Sequence, residues 1–273
     1  GLIYKTTDGG LHWTKQLDAS QPTPARFRSI GFADSLLGWA GVLSNPTAYL
    51  WQTTDGGTNW SVVPNLPSGP IGMCGISVVN QSVIYGCGIY NPVSPHLVKT
   101  TNGGQSWTAI NMSTQAGSLV DCYFWSPDSG FVVGSGVSGS GLGQKKAIVL
   151  VTSNGGQTWQ SSYSGNRTGE LSWKITFPSP NLGFVSIWPA TSTQPQFYLK
   201  TTDRGVTWQE EQLPFNNSGE GIGFIADGSK GWIGGWGTTY ETTNGGTTWT
   251  LNTTLVNLNR VRFVNDTLAF ASG

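Results

Sequence analysis

An all-β fold of repeated four-stranded antiparallel blades is predicted by three observations. A ten-residue segment recurs six times, a looser two-strand pattern alternates with it, and the two chain ends complement each other. The six copies are YKTTDGGLHW from Tyr4, WQTTDGGTNW from Trp51, VKTTNGGQSW from Val98, LVTSNGGQTW from Leu150, LKTTDRGVTW from Leu199 and YETTNGGTTW from Tyr240. Measured at Asp8, Asp55, Asn102, Asn154, Asp203 and Asn244, the spacings are 47, 47, 52, 49 and 41 residues. A period of roughly 40 to 50 residues filled with short strands is the signature of a β-propeller with one blade per repeat.

Each copy of the segment, called the box below, begins as an apolar or Thr-rich strand, turns through Asp/Asn-Gly-Gly and re-enters a strand at Trp. Glycine supplies the positive φ of a tight hairpin, and the Asp or Asn side chain bonds amides within its own turn. The Trp brings a large apolar surface to bury against a neighbouring blade. In the fifth copy Arg204 replaces the first glycine, which predicts a distorted turn or another turn type. The alternating pattern reads FRSIGFADSLLGWAGV, CGISVVNQSVIYGCG, CYFWSPDSGFVVGSG, WKITFPSPNLGFVSI, GIGFIADGSKGWIGG and VRFVNDTLAFASG. Each is a strand, a polar turn and a second strand often opening on Gly-aromatic, so these are strands A and B and the box supplies C, its turn and D. The chain opens on a strand C and closes after a strand B. Joining residues 261–273 to 1–17 gives a composite blade that removes an open sheet edge, which predicts six blades within one domain over residues 1–273; seven blades is the alternative.

Composition agrees with one turn-rich, aromatic-packed β body, at 39 Gly, 13 Trp and 10% charged residues. No apolar stretch approaches the roughly 20 residues of a membrane-spanning helix, and membrane insertion is not expected. The 14 basic and 14 acidic side chains balance, so neither nucleic acid nor an anionic membrane is an expected partner. No signal peptide stands at Gly1, and the missing initiator Met suggests a processed or excised segment. Low charge with abundant Ser, Thr and Asn predicts a secreted or extracytoplasmic protein. Asn-X-Ser/Thr acceptors for glycosylation occur at Asn59, Asn80, Asn111, Asn166, Asn216, Asn252 and Asn265, a pattern that a chain this rich in these residues also produces by chance.

Three cysteines are present, Cys74, Cys87 and Cys122. If Asn80 and Gln81 form a two-residue turn, Cys74 and Cys87 face each other on strands A and B. A cross-strand disulfide and a pair of buried thiols are then both open, with Cys122 the odd one out. Without a CxxC, and with only His12 and His96 as histidines, no metal or other cofactor is expected.

TTDGGLHW and its relatives resemble the Asp-box, or BNR repeat, of sialidase and sortilin propellers. The longer unit, F-A-D-x-x-x-G-W-A-G followed by T-T-D-G-G-x-x-W, is similar to the photosystem II stability/assembly factor-like propellers. The resemblance covers essentially the whole chain and implies a structural role for Asp8, Asp55, Asn102, Asn154, Asp203 and Asn244, with Trp13, Trp60, Trp107, Trp159, Trp208 and Trp249. It is specific for fold and weakly so for function.

Function is expected at the opposite end of the blades, on the B to C and D to A connections, whose lengths vary. These carry Tyr90, Lys145, Lys146, Tyr163, Arg167, Glu170, Trp188 and Glu220 as the candidate binding face, with Trp236 as a further aromatic; ordinary packing is the competing reading for each aromatic. The expected function is a non-catalytic module presenting this face to a protein or glycan partner, self-assembly or membership of a larger extracellular complex being a further reading. A sialidase-like hydrolase using Glu170, Glu220 or Asp121 with arginines such as Arg26, Arg28, Arg260 and Arg262 is an alternative. Against it, the Arg-Ile-Pro motif is absent, the nearest string being ARFRSIGF. A photosystem II assembly factor is the other alternative, although those factors resemble seven-bladed rings with a basic patch.

Overall fold

The structure, a computed structural model, describes residues 1–20, 25–88, 95–137, 145–191, 193–216 and 219–273. They fall into two compact units, one of residues 1–130 with 152–158 and one of residues 131–151 with 159–273. The strands are, in order, β1 (Leu2–Lys5), β2 (Thr14–Asp18), β3 (Phe27–Phe32), β4 (Gly38–Val42), β5 (Leu50–Thr53), β6 (Ser61–Val62), β7 (Gly75–Val78), β8 (Ile84–Cys87), β9 (His96–Thr100), β10 (Thr108–Asn111), β11 (Ser118–Phe124) and β12 (Gly130–Ser135). They continue with β13 (Ala147–Thr152), β14 (Gln160–Ser164), β15 (Leu171–Thr176), β16 (Gly183–Trp188), β17 (Phe197–Thr201), β18 (Gln209–Gln212), β19 (Gly219–Phe224), β20 (Gly231–Gly235), β21 (Thr239–Thr242), β22 (Thr250–Asn252), β23 (Arg260–Phe263) and β24 (Ala269–Ser272).

Five four-stranded sheets take these strands in chain order, β3 to β6, β7 to β10, β11 to β14, β15 to β18 and β19 to β22. They are five blades, a correction to both the six and the seven expected. Among the described residues β1-β2 and β23-β24 stand as separate two-stranded ribbons, so the composite blade does not form. Burial explains the difference. Strands β4, β8 and β12 are buried at every position, whereas β24 is half-buried to exposed throughout and β1 buries only Ile3. The missing join is between β24 and β1, the B to C position, which in the five blades lies between largely buried strands such as β4 and β5 or β12 and β13; here only Ile3 is buried, too little packing to favour the pairing.

The box turn repeats almost atom for atom. In the second copy Thr53 Oγ1 donates to Asp55 Oδ1 (2.9 Å) and accepts from Gly57 N–H (2.8 Å), while Oδ1 also accepts from Asn59 N–H (2.8 Å). The same three bonds form around Asp8, Asn102, Asn154, Asp203 and Asn244. The two residues after the acid or amide are left-handed in every copy, for example Gly56 and Gly57 at φ 70° and 90°. Arg204 is no exception. It takes φ 61° and keeps the turn, a correction to the distorted turn expected, its Nε donating to the Pro180 carbonyl at 3.2 Å. In each of the five blades the first amide after the acid or amide donates to a carbonyl of that blade's A to B turn: Leu36, Ser82, Asp128, Asn181 or Ser229, at 2.8 to 3.0 Å.

The Gly-aromatic opening of strand B has a steric cause. A Cβ built on Gly38, Gly130, Gly183 or Gly231 lies 2.3 to 2.6 Å from the ring of Phe32, Phe124, Phe177 or Phe224, the aromatic that ends or follows the preceding strand A. Three of those rings are pinned by the adjacent blade: Tyr85 stacks on Phe124 at 3.6 Å, Phe131 on Phe177 at 5.6 Å and Phe184 on Phe224 at 3.8 Å. Box tryptophans then meet the stacks edge-on, as Trp208 meets Phe131 at 6.0 Å and Trp249 meets Phe224 at 6.1 Å.

The cysteine register differs from expectation. The hairpin spans residues 79–83, with Val79 N–H bonded to the Val83 carbonyl and Asn80 Oδ1 accepting the amides of Ser82 and Val83. Gly75 therefore pairs with Cys87, and all three cysteines are buried and outside any disulfide. The pairing is one residue out of the Cys74–Cys87 register expected.

Two predictions follow from the turns and stacks. Gly231→Ala, at a position of ordinary backbone geometry, drives a methyl into the pinned Phe224 ring and lowers stability in urea by about 1 to 3 kcal/mol; an unchanged midpoint refutes the overlay. The turn amides and hydroxyls hold the Asp55 and Asp203 carboxyls at about 2. These folded values lie below the ordinary 3.8, so the carboxylates favour the fold above that pH and cease to as pH falls towards 2. Asp55→Asn/Asp203→Asn keeps an Oδ1 acceptor as in the Asn boxes, and its stability should fall less steeply than the parent's between pH 4 and 2. Parallel curves would show that these two groups do not shape the acid limb.

Candidate functional site

Strand D runs into its D to A connection at the blade end opposite the box turns, and the connection after β14 holds a dense polar group. Arg167 Nε donates to Glu170 Oε1 at 2.6 Å, and its terminal nitrogens donate to both carboxylate oxygens of Glu210 at 2.9 and 3.2 Å. The guanidinium lies 3.9 Å from the centre of the Phe197 ring, a cation-π contact. The Tyr163 hydroxyl donates to Glu210 as well. Tyr163 and Arg167 come from one blade and its outgoing loop, Phe197 and Glu210 from the next, so the guanidinium fork fastens neighbouring blades at their outer strands.

Electrostatics divides the two acids. Glu170 is 1% exposed, its Oε2 has no hydrogen-bond partner, and burial pushes its carboxyl up against the pull of Arg167. Glu210 is partly buried, yet the Arg167 and Tyr163 hydrogen bonds outweigh that and hold it low.

A second group lies between β19, β20 and the segment before β23. Glu220, in β19, is buried; its Oε1 accepts the Trp236 indole N–H at 2.9 Å and its Oε2 accepts from the Asn259 amide. Asn257 Oδ1 accepts the Gly237 N–H at 2.7 Å, fixing the backbone beside the indole. Trp236 itself is 75% exposed. A ring tethered through its nitrogen with its faces open to solvent is a pre-set apolar anchor.

The other candidate residues sort differently. Lys145 is buried, its carbonyl accepting Gly169 N–H at 2.6 Å, and Lys146 is half-buried, its carbonyl accepting Gly136 N–H at 2.9 Å. Both therefore brace the loop through backbone atoms. Trp188 is half-buried and packs on Trp173 at 5.9 Å. Tyr90 lies outside the described residues. Asp121, the third acid of the hydrolase alternative, is fully buried in β11 against the backbone at Gly75. Of the sequons, Asn59, Asn216 and Asn252 use their amide nitrogens on Asp55, the Thr193 carbonyl and Glu241, while Asn80, Asn111, Asn166 and Asn265 are exposed. Sequence reasoning missed Glu210, Phe197 and Asn259. Glu210 sits in the polar strand QEEQ, where nothing marks one acid as the partner of a distant arginine.

No family model matches the chain, and no curated protein does either. Among solved structures, it is similar to YCF48 bound to a D1 peptide, at 16% identity and TM-score 0.50 over 92% of this chain and 91% of that one. It is similar to YCF48 from Cyanidioschyzon merolae, at 15% identity and TM-score 0.52 over 93% and 94%. The GH74 xyloglucanase from Xanthomonas campestris matches at 13% identity and TM-score 0.56 over 82% of this chain but 37% of the enzyme. Likeness at such identities shows the fold, a β-propeller of four-stranded antiparallel blades.

The Arg167 fork predicts a specific imbalance on truncation. Arg167→Ala leaves Glu170 buried without its cation and should destabilise the fold by about 2 to 4 kcal/mol, the partial exposure of the arginine keeping the cost below that of a fully buried pair. Adding Glu170→Gln should recover more than half of the loss, as read by urea denaturation. Strictly additive losses would mean that the two groups are not coupled.

Proposed function

We propose that residues 1–273 act as one non-catalytic, extracytoplasmic binding or scaffolding module that presents its loop end to a protein partner. The observation that carries this reading is Trp236, 75% exposed while its indole N–H is anchored on the buried Glu220 carboxylate. Exposed tryptophans held in one orientation lose little entropy on contact and dominate the energetics of protein interfaces. The acids of the loop end support the same reading. Glu220 accepts from Trp236 and Asn259, and Glu170 and Glu210 share Arg167, so they serve as braces. The likeness to YCF48 bound to a D1 peptide supports a peptide-like partner, and the low charge and exposed sequons support the extracytoplasmic placement.

Panning a random-peptide display library on the immobilised chain tests this, alongside a glycan array and an assay of reducing-sugar release from xyloglucan. Selected peptides should lose about 2 kcal/mol or more of affinity, roughly thirty-fold, in Trp236→Ala. Sugar release that disappears in Glu220→Gln would replace the reading with a hydrolase. Saturable glycan binding without peptide binders would replace it with a lectin.

A further inference from the structure

The three cysteines are gathered where the blade of β7 to β10 meets β11. Cys74 N–H donates to the Cys87 carbonyl at 2.9 Å, and the ladder sets Gly75 opposite Cys87. Because Gly75 has no side chain, β11 comes in close: a Cβ there would stand 2.6 Å from Asp121 Cα and 3.0 Å from Cys122 N. Phe124 N–H locks this approach by donating to Ser77 Oγ at 2.8 Å. Tyr85 of β8 stacks on Phe124 of β11, and Cys87 and Cys122 stand two residues along those strands, on the same faces, so their thiols face each other across the two blades, while the in-blade neighbour Cys74 bonds Cys87 through the backbone. All three side chains are at most 5% exposed.

We propose that Cys87 and Cys122 are the site of an interblade disulfide that does not include Cys74. Two neighbouring thiols on strands held at glycine-limited spacing are suited to the bond, and it would close the loop of residues 87–122 and tie β8 to β11. The oxidant is a small disulfide such as oxidised glutathione. One protein thiolate attacks it and releases one glutathione thiol; the second protein thiol then gives up its proton and displaces the other glutathione. Two S–H bonds are exchanged for one S–S bond, and two electrons and two protons pass to the glutathione disulfide. Burial and the Cys122 contact keep the Cys87 thiol protonated, so reaction in the closed fold is slow and the bond forms chiefly while these blades dock.

The test is refolding of the full chain in a reduced/oxidised glutathione buffer and, in parallel, in dithiothreitol, followed by proteolysis without reduction. The oxidised sample should yield a linked peptide pair containing Cys87 and Cys122, titrate one thiol per chain in denaturant, and melt roughly 5 to 10 °C above the reduced sample. Cys74→Ser should still cross-link. Cys122→Ser and Cys122→Ala should lose both the link and the shift. A Cys74–Cys87 pair, or three titratable thiols after oxidising refolding, overturns the proposal.

Discussion

Four of the five blades depend on an aromatic ring lying flat over a glycine. The ring closing strand A covers the first residue of strand B, and any side chain there would occupy its place, so Gly38, Gly130, Gly183 and Gly231 are fixed by volume rather than by backbone conformation. The neighbouring blade then stacks its own strand-B aromatic on the same ring, as Phe184 does on Phe224, and the next box Trp closes the cluster edge-on. Intrablade and interblade packing therefore share one ring. Stacked aromatics add modestly to the burial they bring, but the sharing makes the repeat interdependent.

Much of this was legible before any coordinates. The box states its own geometry, since Thr, Asp or Asn and Gly-Gly at fixed offsets leave few alternatives to the turn that forms. The Gly-aromatic pair announced strand B without giving its reason, which needs the ring of another strand. Blade number was misjudged because complementary ends show that pairing is topologically allowed, not that it is favourable; the exposed faces of β1 and β24 decide that. Arg204 misled for a related reason. Glycine is the cheapest residue at positive φ, yet a residue held by its neighbours can occupy the same region at modest cost. The cysteine register turned on a hairpin three residues longer than the two-residue loop assumed, which local sequence does not reveal.

The loop end was legible as a region and only partly as chemistry. Arg167 and Glu170 were recognisable as loop residues, but the fork reaches Glu210 from a strand 43 positions away. Glu220 reads in sequence as a candidate acid; its place between Trp236 and Asn259 turns it into the support of an aromatic. In both groups the buried charge orients something else: Glu170 a guanidinium that fastens the next blade, Glu220 an indole that faces solvent.

The turn-to-turn hydrogen bonds at the other end have a different consequence. Their acceptors are backbone carbonyls belonging to Leu36, Ser82, Asp128, Asn181 and Ser229, five positions held by four kinds of residue. A contact that any amino acid satisfies places no demand on the side chains of the A to B turn. The repeat unit thus carries its own fastening between its two turns, indifferent to which copy it came from, and that is a physical basis for modularity within the blade: the fit to the blade next door is left to side chains, such as the Tyr85 ring on Phe124 and the Gln81 amide on Asp34.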